Sequence, residues 1–521
     1  MSGKDMEQAE KLSKERAQKA EAQYKRSSSQ NFTTEDIKAA LRDNEAGDAG
    51  LLVKAMRDKF CFDPKRKEFF RFEDCHWKRD IEEEIVRFAG QTLKTAYSQE
   101  AKKQWVIAND PSESEEAKKA AMRLYESCQR RLDRINTLRG RENAVKLARK
   151  GKTAIVIKGD EWNADPWKLQ TGNVIVDLKT GEARPGTPQD YISKAAPTVW
   201  KGLDTPCVGW IMFLRSVFAE NNELLEYVQK VLGSALVGTP SQQEFYIFWG
   251  EGRNGKGTIL EILKEILGCE LASSIKSEML MDSRLSANGA DPELLELQGK
   301  RIAWASETGD GKKLNSEKVK LFTGGDTLSG RLNYSNEIIS FPPTHTLFIL
   351  TNFKPRISEG DTALWDRLRL IPFERRFVDE PQAENERKKD PELKNKLLRE
   401  ASGILAWLVE GCLKWQKEGM NPPEIVKAFG NDYKLDQNPT QLFINERCKL
   451  GDWHETQMKP LYEAFTDWFE ELYGAKAKVP SMKVFSERLQ KIPGITRDKR
   501  SRNIYFVGVS LIDDGGTASA F

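Results

Sequence analysis

Apolar positions along this chain change their rhythm several times. Residues 1–48 offer almost nothing to bury: "MSGKDMEQAEKLSKERAQKAEAQYKR" is rich in Lys, Glu, Gln and Ser, and predicts a charged arm, either a solvated helix or a disordered tail. From "AGLLVKAMRDKFCFDP" onward aromatics appear, and "KEFFRFEDCHWKRD" predicts a strand, a turn and a second strand edge before the helical "IEEEIVRFAGQTL". Amphipathic helices are expected over much of 80–150, and a hairpin in "NVIVDLKTGEARP", turning at Lys179 to Gly181. The whole of 49–195 therefore predicts a domain of helices and a small sheet. "VGWIMFLRSVFAENNELLEYVQKVLGSALVG" keeps a helical period on both sides of an Asn-Asn break, which predicts two helices forming a collar over 196–240.

After residue 241 the pattern shortens to buried strands, "FYIFWG", "RIAWASE", "HTLFILTN" and "LRLIPF", separated by helices and Gly-rich turns. Such alternation predicts an α/β domain with a largely parallel sheet over 241–380. A charged helical segment follows over 381–437, and "NPT" at 438–440 is expected to be a linker into a last small domain over 438–511. That domain combines a helix, "PSMKVFSERLQKI", with a basic-tipped hairpin, "GITRDKRSRNIYFVGVSL", and leaves a tail at 512–521. The fold class expected is thus multidomain and mainly α, around one α/β core.

Composition narrows the partners only slightly. The chain of 521 residues holds 82 Lys plus Arg against 79 Asp plus Glu, a balance of +3, so any nucleic-acid surface must come from local patches. Seven cysteines lie scattered without a CxxC pair and there are three histidines, which argues against zinc sites, disulfide frameworks and paired-histidine nicking chemistry. No run approaches the roughly 18 apolar residues of a membrane span, and no apolar signal core opens the chain. A cytoplasmic protein without membrane partners is expected.

The candidate chemistry starts at "GEGRNGKGTIL", residues 250–260. A strand, a Gly-rich turn and a helix follow in the order that a phosphate-binding loop requires. Gly250, Gly252, Gly255 and Gly257 let the backbone approach phosphate, Asn254 lies within the turn, and Lys256 would neutralise charge on the outer phosphates. Gly257 stands where a metal-binding hydroxyl is usual, so the first hydroxyl is that of Thr258, one residue late. "KRIAWASE" ends in Glu307, a candidate general base and metal ligand beside Ser306. "HTLFILTN" ends in Asn352, placed to orient a water. Arg367, with Arg369 as its alternate, could reach a neighbouring subunit's nucleotide.

"GEGRNGKGT", "RIAWASE", "FTGGDTLSGR", "TLFILTNFKPRI" and "ALWDRLRLIPF" resemble, in identity and order, the superfamily 3 helicases. The likeness is to the phage and plasmid primase-helicase branch, related to the poxvirus-type helicases, and "DPWKLQTGNVIVDLKTGEARPGTPQDYI" is similar to the domain that precedes the motor there. The resemblance spans roughly 49–511. It implies an AAA+ (P-loop NTPase) core that uses ATP and Mg2+, assembles as a homo-hexamer, and moves 3′ to 5′ on single-stranded and forked DNA. Lys256 and Thr258 match its phosphate loop, Glu307 its acid, Asn352 its sensor and Arg367 its finger. The Gly257 substitution implies that water supplies more of the metal's coordination.

The same resemblance places channel contacts between acid and sensor, with Lys318, Lys320 and Arg331 available to phosphates and Tyr334 to a base or sugar. It makes the last domain similar to a winged helix, with Lys483 and Arg488 on its helix and Arg497, Lys499, Arg500 and Arg502 on its wing. With no room for a primase module before residue 49, a separate primase or initiator is expected as partner. Function is therefore expected to be replication of a phage, plasmid or other mobile element, in a bacterial host or at a viral replication site. Two alternatives stand beside it: a ring-forming ATPase that recognises an origin or loads proteins without processive unwinding, and a nucleoside monophosphate kinase, which shares "GKGT".

Overall fold

A computed structural model of the chain describes residues 32–150, 155–239, 242–282, 292–306, 312–331, 338–358, 361–474, 477 and 479–512. These residues form two compact units. The first runs to Trp200, apart from Leu178–Gly181, which belong with the second.

In the first unit, folding begins earlier than the polar composition of 1–48 suggests. Helices Thr34–Arg42 and Asn44–Met56 precede the first strand, and Thr33 caps the former in a reciprocal capping box with Asp36. Ile37 and Ala40 are buried among the apolar side chains of helices Glu84–Ala108, Glu115–Ile135 and Leu138–Ala148. The rest of the expected charged arm, residues 1–31, lies outside the described residues. The reason for the early start is physical: before residue 49 the buried positions of these helices are Ile37, Ala40, Gly47 and Asp48, mostly small or charged, so a hydropathy pattern barely registers them. Asp48 accepts hydrogen bonds from Tyr97 and from Arg131, the latter at 2.9 Å, and all three are buried. Burial pushes the Asp48 carboxyl upward, against the pull of those two partners.

Two small antiparallel sheets complete this unit. Phe60–Asp63, Glu68–Glu73 and His76–Arg79 pair in chain order, so "KEFFRFEDCHWKRD" supplies two of three strands. Lys168–Gln170, Ile175–Asp177 and Ala183–Arg184 form the other, which contains the expected hairpin.

The second unit opens with the two expected collar helices, Val208–Val217 and Asn222–Ser234. Their break is fixed by Asn221, whose side chain accepts from the Leu224 N–H and caps the second helix. Five parallel strands follow: β1 (Phe245–Trp249), β2 (Ala272–Ile275), β3 (Ile302–Ser306), β4 (Thr346–Thr351) and β5 (Leu368–Pro372), ordered β5-β1-β4-β3-β2. A parallel sheet must be covered on both faces, and here it is. Phe245, Ile247, Leu347, Ile349 and Leu370 pack on one face against Val319, Phe322 and Tyr433. Tyr246, Phe248 and Phe348 make an aromatic layer on the other, continued through Phe373 to Phe218 of the collar.

The segment after the sheet is helical, as expected, in Leu393–Arg399, Ala401–Glu418 and Glu424–Asp436. The expected linker at 438–440 is instead a helix start, because the Asn438 side chain accepts from the Gln441 N–H and Pro439 occupies the first turn of Pro439–Arg447. A strand Cys448–Gln457, helices Met458–Tyr473 and Met482–Leu489, and the hairpin Thr496–Arg500/Asn503–Leu511 close the described chain. The hairpin's second strand lies between its first and Cys448–Gln457.

Removing one member of a buried ion pair strands the other. Asp48→Ala should therefore lower stability by about 3–5 kcal/mol, measured by denaturant unfolding, whereas Asp48→Leu combined with Arg131→Met should cost far less. Equal losses in the two variants would contradict a buried, coupled pair.

Candidate functional site

The register of the central sheet brings several strand ends into one row. Trp249 pairs with Thr351 and with Pro372, and Leu350 with Ser306, so β1, β3, β4 and β5 finish at the same edge. In open parallel sheets, the carboxyl edge is where loops meet ligand. The loop 250–255 leaves β1 at this edge, between its neighbours β4 and β5.

Its conformation is held from several sides. The Gly250 N–H donates to the Thr351 carbonyl at 3.3 Å, the Gly252 N–H to the Gly250 carbonyl at 2.9 Å, and the buried Asn254 side chain to the Phe373 carbonyl at 3.1 Å. From the far side, the Phe377 N–H donates to the Arg253 carbonyl at 2.7 Å. Gly252 and Gly255 have φ of 96° and 92°, in the left-handed region. A Cβ on Gly255 would also stand 2.8 Å from Val217 of the collar, so that helix bears directly on the loop.

Lys256 begins the following helix, Lys256–Leu267, and its side chain turns back across the loop. Its ammonium donates to the Gly250 carbonyl at 2.5 Å and to the Asn352 Oδ1 at 3.2 Å. Two of the expected site residues, far apart in the chain, therefore meet. Lys256 is only 6% exposed and burial pulls it down to about 8, with no carboxylate against it among the described residues. A buried cation held by neutral groups alone is an unbalanced charge, and the atoms around it suit an incoming anion.

The remaining expected residues are distributed less tightly. Ser306 ends β3 exposed, while Glu307 lies outside the described residues. Thr258 is half-buried in the first helical turn; Gly257 is exposed, and a Cβ there would meet nothing within 4 Å. Crowding therefore does not require that glycine. Among the described residues no cluster of three His, Cys, Asp or Glu forms a metal cage. Of the two expected metal ligands only Thr258 lies among the described residues, and a single hydroxyl leaves most of a magnesium ion's oxygen ligands to phosphate and water.

Arg367 and Arg369 lie at the start of β5, the opposite edge from the loop. Arg367 donates to the Lys320 carbonyl at 3.2 Å, the Thr323 hydroxyl at 3.1 Å and the Gln243 side chain at 3.2 Å. Arg369 pairs with Glu244 at 2.6 Å, which also accepts from Tyr246. Within one chain, neither is brought to Lys256.

Lys318 and Lys320 ride on helix Ser316–Thr323. Lys320 is committed to Asp361 at 2.6 Å, and the Lys318 ammonium donates to the Met281 carbonyl at 3.4 Å. Arg331 ends the strand Leu328–Arg331, which pairs with Ile338–Phe341; Tyr334, between them, lies outside the described residues. In the last subdomain Lys483 is exposed and Arg488 half-buried on helix Met482–Leu489. Arg497, Lys499, Arg500 and Arg502 are all exposed on the hairpin, but Arg500 is held by Glu455 at 2.9 Å and Asp498 at 2.7 Å, over the Tyr505 ring. Arg500 and Lys320 therefore already serve the fold. The sequence reading missed the segment Phe373–Phe377, which braces the loop through main-chain atoms and so leaves no side-chain signature.

The Lys256 shift has a sign that can be tested. With its pKa lowered from 10.5 to about 8, the unfolded chain holds the extra proton between those values, so this group's contribution to stability rises with pH across that window. Without nucleotide, Lys256→Met should be at least as stable as the natural chain at neutral pH, and its advantage should shrink as pH rises from about 8 to 10.5. A pH-independent difference in melting midpoint would show that the ammonium is not desolvated.

Comparison with known proteins finds relatives among viral proteins. The family model described as "D5 N terminal like" matches residues 49–219. A protein of Acanthamoeba polyphaga mimivirus, L207/L206, proposed by its name to be a helicase, is 30% identical over 319 residues, covering 58% of this chain and 33% of that protein. Frog virus 3 protein 022R, also proposed by name as a helicase, is 26% identical over 284 residues, 52% of this chain and 28% of its own. African swine fever virus protein C962R, proposed by name as a primase, is 25% identical over 254 residues, 46% of this chain and 26% of its own. The chain thus spans a third or less of the length of these curated relatives. The apo structure of the NrS-1 C-terminal region is similar at 13% identity and a TM-score of 0.44, over 89% of this chain and 99% of that one, a likeness too loose to transfer detail. The chain is a relative of the superfamily 3 helicases of the primase-helicase branch.

Proposed function

We propose that the chain is the motor of an ATP-driven DNA helicase that serves replication of a virus, phage, plasmid or other mobile element. The observation that carries this reading is Lys256, a buried cation with no carboxylate against it among the described residues, at the carboxyl edge of a parallel sheet and in contact with Asn352. The strand order β5-β1-β4-β3-β2 suits an AAA+ core. The helix-strand-helix-helix-hairpin order after residue 438 suits a winged helix.

On this reading the loop amides and Lys256 receive the outer phosphates of ATP, and Asn352, released from Lys256, orients the attacking water. Glu307 takes the proton from that water, and Thr258 and Glu307 are the residues that would hold Mg2+. The ion, when bound, neutralises charge between the phosphates. Arg367, with Arg369 beside it, acts on the nucleotide of a neighbouring subunit. Its place at the sheet edge opposite the chain's own loop supports that assignment, which makes a ring, expected to be a hexamer, part of the catalytic unit. Single-stranded and forked DNA are the substrates, moved 3′ to 5′, with a separate primase or initiator as partner. The exposed cations of the C-terminal hairpin also suit a loader that binds duplex without unwinding it.

Lys256→Ala should abolish DNA-stimulated ATP hydrolysis, and Arg367→Ala should reduce it by about a thousandfold or more. Mixing the two inactive proteins should restore partial hydrolysis, because a Lys256→Ala chain still donates Arg367 to an intact loop next door. Strand separation on forked DNA distinguishes helicase from loader. ATP hydrolysis and unwinding that survive in Lys256→Ala would overturn the reading.

A further inference from the structure

The strand Cys448–Gln457 is interrupted in the middle. Leu450 pairs with Val509 and Glu455 with Val507, so Gly451, Asp452, Trp453 and His454 all stand opposite Gly508 alone. Such an insertion would ordinarily be loose, yet this one is fastened on its C-terminal side. His454 Nδ1 is 3.0 Å from the Ser510 hydroxyl, the Thr456 hydroxyl donates to the Val509 carbonyl at 3.1 Å, and Glu455 holds Arg500. Trp453 is left outside, 97% exposed, and Leu450 at the base of the bulge is half-exposed. An indole with no neighbour is a large apolar surface in water, here presented by an anchored strand.

The charges of this three-stranded sheet are one-sided once the internal pairs are set aside. Glu455 and Asp498 are occupied by Arg500. Lys449, Arg497, Lys499 and Arg502 are exposed and enter no ion pair among the described residues, against Asp452 as the one uncommitted acid of the bulge. A planar aromatic face on the same three-stranded sheet as uncommitted cations is a combination that recognises an unpaired nucleotide, with the ring stacking on a base while the cations meet phosphates farther along the strand. Duplex DNA keeps its bases stacked on one another and offers the ring no face.

We propose that Trp453 is a stacking platform for an unpaired base at the single-strand to duplex junction, with Arg497, Lys499 and Arg502 holding the adjoining backbone. This rests on the proposed function, because it needs DNA to be the substrate, and it adds to that function a residue that distinguishes a fork from a plain duplex.

Fluorescence anisotropy with labelled DNA of two kinds, a fork with unpaired arms and a blunt duplex, tests the assignment in the full chain. Trp453→Ala, at a position too exposed to disturb folding, should weaken fork binding by roughly 5- to 100-fold and leave blunt-duplex binding unchanged. Trp453→Phe should recover most of the loss. The double variant Arg497→Ala/Lys499→Ala should weaken both DNAs and flatten their salt dependence. Unchanged fork binding in Trp453→Ala, or an equal loss on both DNAs, would overturn the assignment. So would a change in oligomeric state on sedimentation, which would make the ring a contact between copies of the chain. Failure of the natural chain to bind either DNA would remove the proposed function itself, an outcome separate from all of these.

Discussion

The candidate site depends on one uncompensated charge. Lys256 is buried in a loop that surrounds it with a carbonyl and an amide and, among the described residues, no carboxylate, and this unfavourable placement is held by the rest of the sheet edge. Asn254 ties the loop to Phe373, Gly250 ties it to β4, and Phe377 closes on Arg253. Each contact is modest, but together they keep a cation where bulk water cannot fully solvate it. The local energy is lowered by an anion, so the fold stores an affinity before any ligand arrives.

The same edge explains why the two halves of the candidate machinery are separated. Parallel strands put every carboxyl end on one side and every amino end on the other, so a residue at the start of β5 cannot serve a loop at the end of β1 in the same chain. Arg367 and Arg369 sit among Gln243, Glu244 and Tyr246, the residues leading into and beginning β1, and are already hydrogen-bonded there. Any second subunit that uses them must offer more than those contacts.

Much of this was legible in the sequence because it is written in strong local codes. Four apolar strands, a Gly-rich turn after the first, and Asn352 closing another were read from period and punctuation alone. What escaped was of two kinds. Helices Thr34–Arg42 and Asn44–Met56 bury small residues and a charged Asp48, so their burial is decided by partners such as Arg131 and Tyr97 that lie far along the chain. The bracing of the loop by 373–377 uses main-chain groups, which every sequence possesses. Basic residues misled in the opposite direction, because Lys320 and Arg500 look available in a sequence and are committed to Asp361, Glu455 and Asp498 in space.

The contact between Gly255 and Val217 has a mechanical meaning. A single added carbon would collide with the collar helix, so there is no slack between helix Val208–Val217 and the loop, and close-packed atoms transmit displacement rather than absorb it. The backbone at Gly255 therefore has room on that side for a hydrogen and nothing larger, and any shift of the loop toward the helix must displace Val217 as well.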